Sequence, residues 1–344
     1  MEFATNREFD KNKIPSKLKF DVLNLEDPQP STLRLAYIVR DMVGVTEKLA
    51  WIVAYAACSS SMLVVNKLAV EAIPLPTIVS ASQLVVSAAF VLIIQTCGIR
   101  VMEPIEKSKI LPFVVYTVLF AASIFSNMKA LLLVNIGAVI AARSCLPIVV
   151  CLIEWVFMER KLPGPRSALS LSGVVFFAFL YIRLSTSVAV GSVRGCAWLF
   201  SWWMFLAICT TYGKWMTEEI IMTQWERVFY TNAFAIPPTV IIFLTSGELG
   251  QISEVNLRND ALCWLILSCL MGVLLSYSGW KARSITTATT FTLVGVLNKM
   301  ATIAYTAMLW PENISIKSFT ALVGCILSGM LYQDAPKRTL PAKM

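Results

Sequence analysis

Between residues 49 and 332 the chain is made of apolar runs far longer than a soluble core helix requires, separated by short polar connections. A helix rises ~1.5 Å per residue, so about 20 apolar residues cross a ~30 Å hydrocarbon core. Lipid offers the backbone no hydrogen bonds, which leaves such unbroken runs only the helix. Ten spans fit this reading: 49–70, 77–98, 110–134, 137–157, 168–184, 195–216, 228–246, 261–282, 287–310 and 317–332. The expected fold is an all-α membrane protein with ten transmembrane helices and the lipid bilayer as its solvent. Connections as short as 71–76 and 135–136 make consecutive helices antiparallel neighbours.

Lys and Arg number 29 against 21 Asp and Glu, a net charge of +8. These bases lie between apolar spans and not on one soluble face, which argues against a nucleic-acid partner and for the positive-inside rule. With a cytosolic N-terminus, Arg100, Lys107, Lys109, Arg160, Lys161, Arg166, Arg227, Lys281, Arg283, Lys337, Arg338 and Lys343 fall on the cytosolic side. Only Arg183, Arg194, Arg258 and Lys317 fall opposite, so both termini are expected in the cytosol. Residues 1–48 read as a largely disordered cytosolic tail without the apolar core and cleavage site of a secretory signal. Within it, 33–45 mixes apolar residues with Arg34, Arg40 and Asp41 and reads as a segment along the membrane surface. Residues 333–344 read as a second cytosolic tail.

No histidine occurs anywhere in the chain, which removes histidine base catalysis, His-Asp triads and histidine metal ligands together. The nine cysteines all fall in apolar spans with no Cys-x-x-Cys pair, so they read as packing residues, and neither a metal nor a cofactor is implied.

Placing residues 143–181 over 294–332, an offset of 151, aligns Leu146 with Leu297, Ser167 with Ser318, Leu171 with Leu322, Gly173 with Gly324, Leu180 with Leu331 and Tyr181 with Tyr332. Two five-helix halves, 49–184 and 195–332, are the reading. An odd number of helices per half forces opposite orientations, and inverted repeats of this kind are characteristic of secondary transporters, whose site lies at the repeat interface near the midplane.

Charged residues inside the spans sharpen that expectation. Lys299 lies near the midplane of span 287–310, where a base costs roughly 2.5–3.5 kcal/mol on insertion scales. It reads either as a functional group or as one half of an ion pair with Glu154. Gly295, one turn earlier, reads as a site residue or as a small residue that lets two helices approach. Arg143 sits six residues into span 4, roughly 9 Å from its non-cytosolic end, whereas Lys67 and Lys129 are placed either to snorkel or to bind. An excess of bases suits an anionic substrate. Glu154 is thin ground for proton coupling, so exchange of one anion for another is the more economical mechanism. A membrane-embedded transferase would need an acid/base constellation that the chain does not offer, and a scaffold would not explain several buried bases. Span 7 holds Tyr230, as site residue or interfacial anchor, and Asn232, as site residue or helix–helix bond. Pro237 and Pro238 are expected to kink or interrupt it.

Gly295-Val296-Leu297-Asn298-Lys299 resembles the Gly-Ala-Leu-Asn-Lys motif of GDP-sugar transporters, in the nucleotide-sugar branch of the drug/metabolite transporter superfamily. Asn66-Lys67-Leu68-Ala69 and the run Ser276-Tyr277-Ser278-Gly279-Trp280-Lys281-Ala282-Arg283 support it. The resemblance implies ten helices in two inverted halves around a central cavity, and antiport of a cytosolic nucleotide sugar, of GDP-mannose or GDP-fucose type, for lumenal nucleoside monophosphate across the Golgi membrane. UDP-sugars and organic phosphates are the alternatives in the same fold, and a homodimer is left open. It implies no enzyme activity. By motif position Gly295, Asn298 and Lys299 are sugar and diphosphate contacts, and Phe291 stands where several relatives have tyrosine. The family's Phe-Tyr-Asn-Asn base-contacting motif reads Phe229-Tyr230-Thr231-Asn232 here. Threonine offers guanine fewer hydrogen-bonding sites than the asparagine it replaces.

Overall fold

The computed structural model describes residues 30–99, 107–131, 133–134, 136–185, 193–252, 259–309 and 316–338. The chain divides into a first unit ending at Ala50 and a second, Trp51–Met344, which holds every contact discussed below. The long helices are α1 (Pro30–Ala72), α2 (Pro76–Thr96), α3 (Lys107–Leu131), α4 (Ile136–Phe157), α5 (Pro165–Ser185), α6 (Val193–Glu219), α7 (Gln224–Ser246), α8 (Ala261–Ile285), α9 (Ala288–Leu309) and α10 (Ile316–Met330), and a single-turn helix, Glu248–Gln251, follows α7. Among the described residues the one β feature is an isolated antiparallel bridge between Arg160 and Lys337.

Eight segments are long and apolar enough to cross a bilayer: Gly44–Ala72, Pro76–Thr96, Ser108–Asn127, Ala138–Phe157, Pro165–Leu184, Val193–Glu219, Gln224–Thr245 and Ala261–Ile285. The two further helices are α9 and the shorter apolar α10 of 15 residues. Large apolar side chains face outward, Phe157 at 77% and Leu169 at 72% exposure, as a lipid-solvated surface requires and a soluble one avoids. The protein is thus all-helical and built for a membrane.

Two expectations need correction. Residues 30–48, expected as the end of a disordered tail, belong to the helix that starts at Pro30, a conformation compatible with the expected course of 33–45 along the membrane surface; residues 1–29 lie outside the described residues. Pro237 and Pro238 do not interrupt α7, which runs unbroken from Gln224 to Ser246. A capping box at Thr223 and Glu226 fixes its start, and the Thr239 hydroxyl donates to the Ala235 carbonyl just where the prolines remove backbone donors.

Packing follows side-chain size. One core gathers Phe113, Tyr116, Met216, Val228, Tyr230 and Trp280 from α3, α6, α7 and α8; a second gathers Leu171, Val174, Val296, Met300 and Leu322 from α5, α9 and α10. α5 and α10 run antiparallel at glycine distance. A Cβ on Gly173 would fall 2.7 Å from Ser328 Oγ, and one on Gly324 would fall 2.6 Å from the Phe177 ring. Gly324 and Ser328 stand 151 residues after Gly173 and Phe177, so one contact is made twice with its partners exchanged, the pattern of an isologous interface. Between them Cys325 Sγ lies 3.5 Å from the carbonyl of Val174, its own counterpart at that offset.

Candidate functional site

α9 starts on a carboxylate. Glu154, near the end of α4, accepts from Ala288 N at 2.9 Å, from Thr289 N at 3.0 Å and from the Thr289 hydroxyl at 2.5 Å. The first amides of a helix lack partners and carry partial positive charge, so a buried carboxylate is well placed there. Arg160 Nε stands 3.2 Å from the same carboxylate, an ion pair without hydrogen-bond alignment. Arg160 then reaches Glu218 at 2.9 Å, which Lys214 meets at 3.4 Å and Lys337 at 2.6 Å. The Lys214 ammonium also donates to the Arg283 and Ser284 carbonyls at 3.2 Å each, close to the last turn of α8.

This geometry overturns one of the two readings of Lys299. Glu154 is bound to the first turn of α9, and Lys299 lies roughly 16 Å further along that helix at 1.5 Å per residue. Among the described residues neither Lys299 nor Arg143 has a carboxylate within ion-pair distance. The two share instead a cavity of about 230 Å³ between α4 and α9, with Val139, Ile140, Val296 and Thr302 also in its walls. They stand close enough for their charges to repel. Apolar walls around two like charges make a poor resting place for either and a good one for an anion, which an ammonium and a guanidinium fork can grip together. Ligand pockets usually measure about 300–1,000 Å³, so this cavity suits the charged part of a larger ligand.

The rest of the motif lies along the same helix. A Cβ on Gly295 would meet nothing within 4 Å, unlike one on Gly324 or Gly329, so close helix approach does not account for this glycine. Asn298 is buried, and its Oδ1 accepts from Ser60 Oγ of α1 at 2.8 Å. Ser60 lies 3.2 Å from the Thr302 hydroxyl, which donates to the Asn298 carbonyl at 2.8 Å. Phe291 stacks on Tyr55 with ring centroids 4.9 Å apart, and the Arg283 guanidinium covers its other contacts at 4.6 Å. That guanidinium also lies 4.8 Å from Trp280 and 5.6 Å from Tyr116, whose hydroxyl accepts from it at 2.9 Å. Gly213 makes this possible, since a Cβ there would fall 2.8 Å from the Arg283 Nη1.

The structure therefore brings Arg143 and Lys299 together, with Gly295, Asn298 and Phe291 on the helix that carries Lys299. Tyr230 and Asn232 do not line that cavity. Tyr230 is packed against Phe113 at 5.2 Å and Phe234 at 5.8 Å inside the first core, which replaces its reading as an interfacial anchor. Asn232 donates to the Val228 carbonyl at 2.7 Å and to Ser276 Oγ of α8 at 3.4 Å, the helix–helix bond that was its alternative. The neighbouring Thr231 hydroxyl is buried without a hydrogen-bond partner. Lys129 is exposed over the Phe125 ring at 5.5 Å, and the Lys67 side chain lies outside the described residues. Sequence reasoning missed Ser60, Thr302, Tyr55 and Arg283. Thr302 was detectable at four residues from Asn298, one turn along the same face, whereas Arg283 was counted only as a topology charge.

No protein-family model matches the chain. GDP-fucose transporter 1 of Arabidopsis thaliana is 26% identical over 297 residues, covering 84% of this chain and 86% of the relative. The GDP-mannose transporter GONST3 of the same plant is 26% identical over 334 residues, covering 94% and 87%. A GDP-mannose transporter of Eremothecium gossypii is 26% identical over 314 residues, covering 83% and 92%. A solved crystal structure superposes with a TM-score of 0.58 at 11% identity, covering 84% of this chain and 95% of the other, a likeness of fold alone. The similarity to these relatives extends over most of the chain, and each of them is named a GDP-sugar transporter.

Proposed function

We propose that this protein is a secondary antiporter of the Golgi membrane that exchanges a cytosolic GDP-sugar for a lumenal nucleoside monophosphate. One observation carries the reading: Arg143 and Lys299 face a common cavity with no carboxylate among the described residues to neutralise them, in a chain similar to GDP-sugar transporters. Nucleotide sugar and nucleoside monophosphate both bring phosphate oxygens, so one pair of bases serves both directions of exchange. Lys299 and Arg143 take the diphosphate, Gly295 leaves space beside it, Asn298 and Phe291 border the sugar, and Tyr230 and Asn232 act on the base side from α7. Ten crossings in two inverted five-helix halves are supported by the doubled α5–α10 contact at the 151-residue offset. Cytosolic termini are supported by the distribution of bases.

The test is counterflow with purified protein in liposomes. GDP-mannose and GDP-fucose should enter GMP-loaded vesicles faster than empty ones, and UDP-sugars and organic phosphates should enter more slowly. Equal uptake into loaded and empty vesicles would refute exchange. Faster uptake of a UDP-sugar would move the substrate to the alternative reading.

A further inference from the structure

Residues near a chain end are usually loose unless something ties them down, yet 333–338 are bonded along two edges. On one edge lie α4, α5 and the connection between them. Gln333 and Ser167 exchange two hydrogen bonds, at 2.8 and 3.1 Å, Lys161 N donates to the Pro336 carbonyl at 3.0 Å, and Arg338 N donates to the Glu159 carbonyl at 2.7 Å. The Arg338 guanidinium donates to the carbonyls of Arg160 and Trp155 at 3.0 and 2.9 Å. Glu159 is held there at a φ of 53°, a conformation that costs a non-glycine residue energy and persists only where its surroundings impose it. On the other edge lie α9 and α6, and the ties are two side chains. The Asp334 carboxylate accepts from the Thr287 hydroxyl at 2.8 Å and from the Thr290 hydroxyl, and Lys337 pairs with Glu218 at 2.6 Å.

The start of α9 is thus gripped twice: Glu154 of α4 holds the amides of Ala288 and Thr289, and Asp334 holds the hydroxyls of Thr287 and Thr290. A helix bonded to one carboxylate can turn about it, whereas one bonded to two, from separate parts of the chain, turns only when one lets go. We propose that residues 333–338 form a strap that brakes α9. Release of its Asp334 and Lys337 side chains, with the edge along α4 and α5 kept, frees α9 to turn on Glu154 and carry Lys299 with it. The inference rests on the exchange proposed above. The releasing edge is the weaker one, since Lys337 is 59% exposed and an exposed ion pair is a weak tie, while the edge that stays includes backbone bonds. Beneath the strap, Cys151, Glu154, Thr289, Tyr332 and Ala335 line one narrow recess, so a buried thiol lies where release would uncover it.

The experiment reads that thiol. In the full-length protein in detergent, labelling by N-ethylmaleimide is followed peptide by peptide with mass spectrometry, and Cys325, buried between α5 and α10, is the control for general loosening. Asp334→Ala combined with Lys337→Ala should speed labelling of Cys151 at least about 5-fold and leave Cys325 unchanged. An unchanged Cys151, or an equal rise at both thiols, would overturn the proposal. A second arm locks the releasing edge. With the exposed Cys97, Cys196 and Cys263 replaced by Ser, Thr290→Cys and Asp334→Cys are introduced together and oxidised to a disulfide. Exchange of GDP-mannose for GMP in liposomes should fall about 10-fold or more on oxidation and return on reduction, while GDP-mannose still stabilises the oxidised protein against heat. Undiminished exchange with the cross-link formed overturns the brake. Should that pair fail to fold or to cross-link, the Cys151 measurement decides alone. Absence of exchange in the unmodified protein refutes the transport reading instead, and labelling of Cys151 still shows whether this edge releases.

Discussion

Two sets of bases flank the packing of α4 against α9, one near the start of α9 and one in the cavity between the two helices. At the end where α9 begins, Arg160, Lys214 and Lys337 share the carboxylates of Glu154 and Glu218, and Lys214 also donates to helix-end carbonyls. In the cavity Arg143 and Lys299 have no such carboxylate among the described residues and line the same space. Both sets cost desolvation energy, but only the first recovers it within the protein. A charge whose partner is inside the fold holds the fold together. One without a partner destabilises the empty protein and gains when a ligand of opposite sign arrives, so stability and function should respond oppositely to substitution in the two places.

Glu154→Ala is the largest test of that contrast. It strands two helix-start amides, a buried hydroxyl and one ion-pair partner, and should destabilise by about 3–5 kcal/mol, read as a lowered midpoint in thermal unfolding. Lys299→Ala should do the reverse: 10- to 100-fold weaker GDP-mannose binding with an unfolding midpoint that stays or rises. A fall in midpoint comparable to that of Glu154→Ala would break the comparison. Arg143→Lys keeps the charge and removes the fork, and should cost about 5-fold in affinity with folding intact; equality with wild type would show that position to be a point charge. Lys337→Ala, whose side chain is 59% exposed, should shift stability by no more than about 0.5 kcal/mol, and a larger loss would mean that the network acts as a unit.

Much of this was legible as pattern. The spans follow from unbroken apolar runs, and Lys299 and Arg143 stood out because charge inside lipid is costly. That the two share one cavity was not legible, since nothing local to either residue points at the other helix. Glu154 misled for a related reason: it was the well-placed carboxylate, and a single sequence does not show that the bare first turn of α9 competes for it. Tyr230 illustrates a third limit. An aromatic residue near a span end suits an interface, a site or a core equally well, and here Phe113 and Trp280, from distant parts of the chain, gather around Tyr230 and exclude the interface.

The anchoring of α9 on Glu154 has a mechanical consequence. α4 and α9 meet at that carboxylate, pack along each other through Leu146, Ile148 and Val150, and part at the cavity between Arg143 and Lys299. With the arm from Ala288 to Lys299 roughly 16 Å long, a swing of about 10° at the anchor moves the lysine by ~3 Å, the length of one hydrogen bond. A joint of that leverage would let the proposed grip on a phosphate open or close while the carboxylate and both amides at the pivot stay bonded.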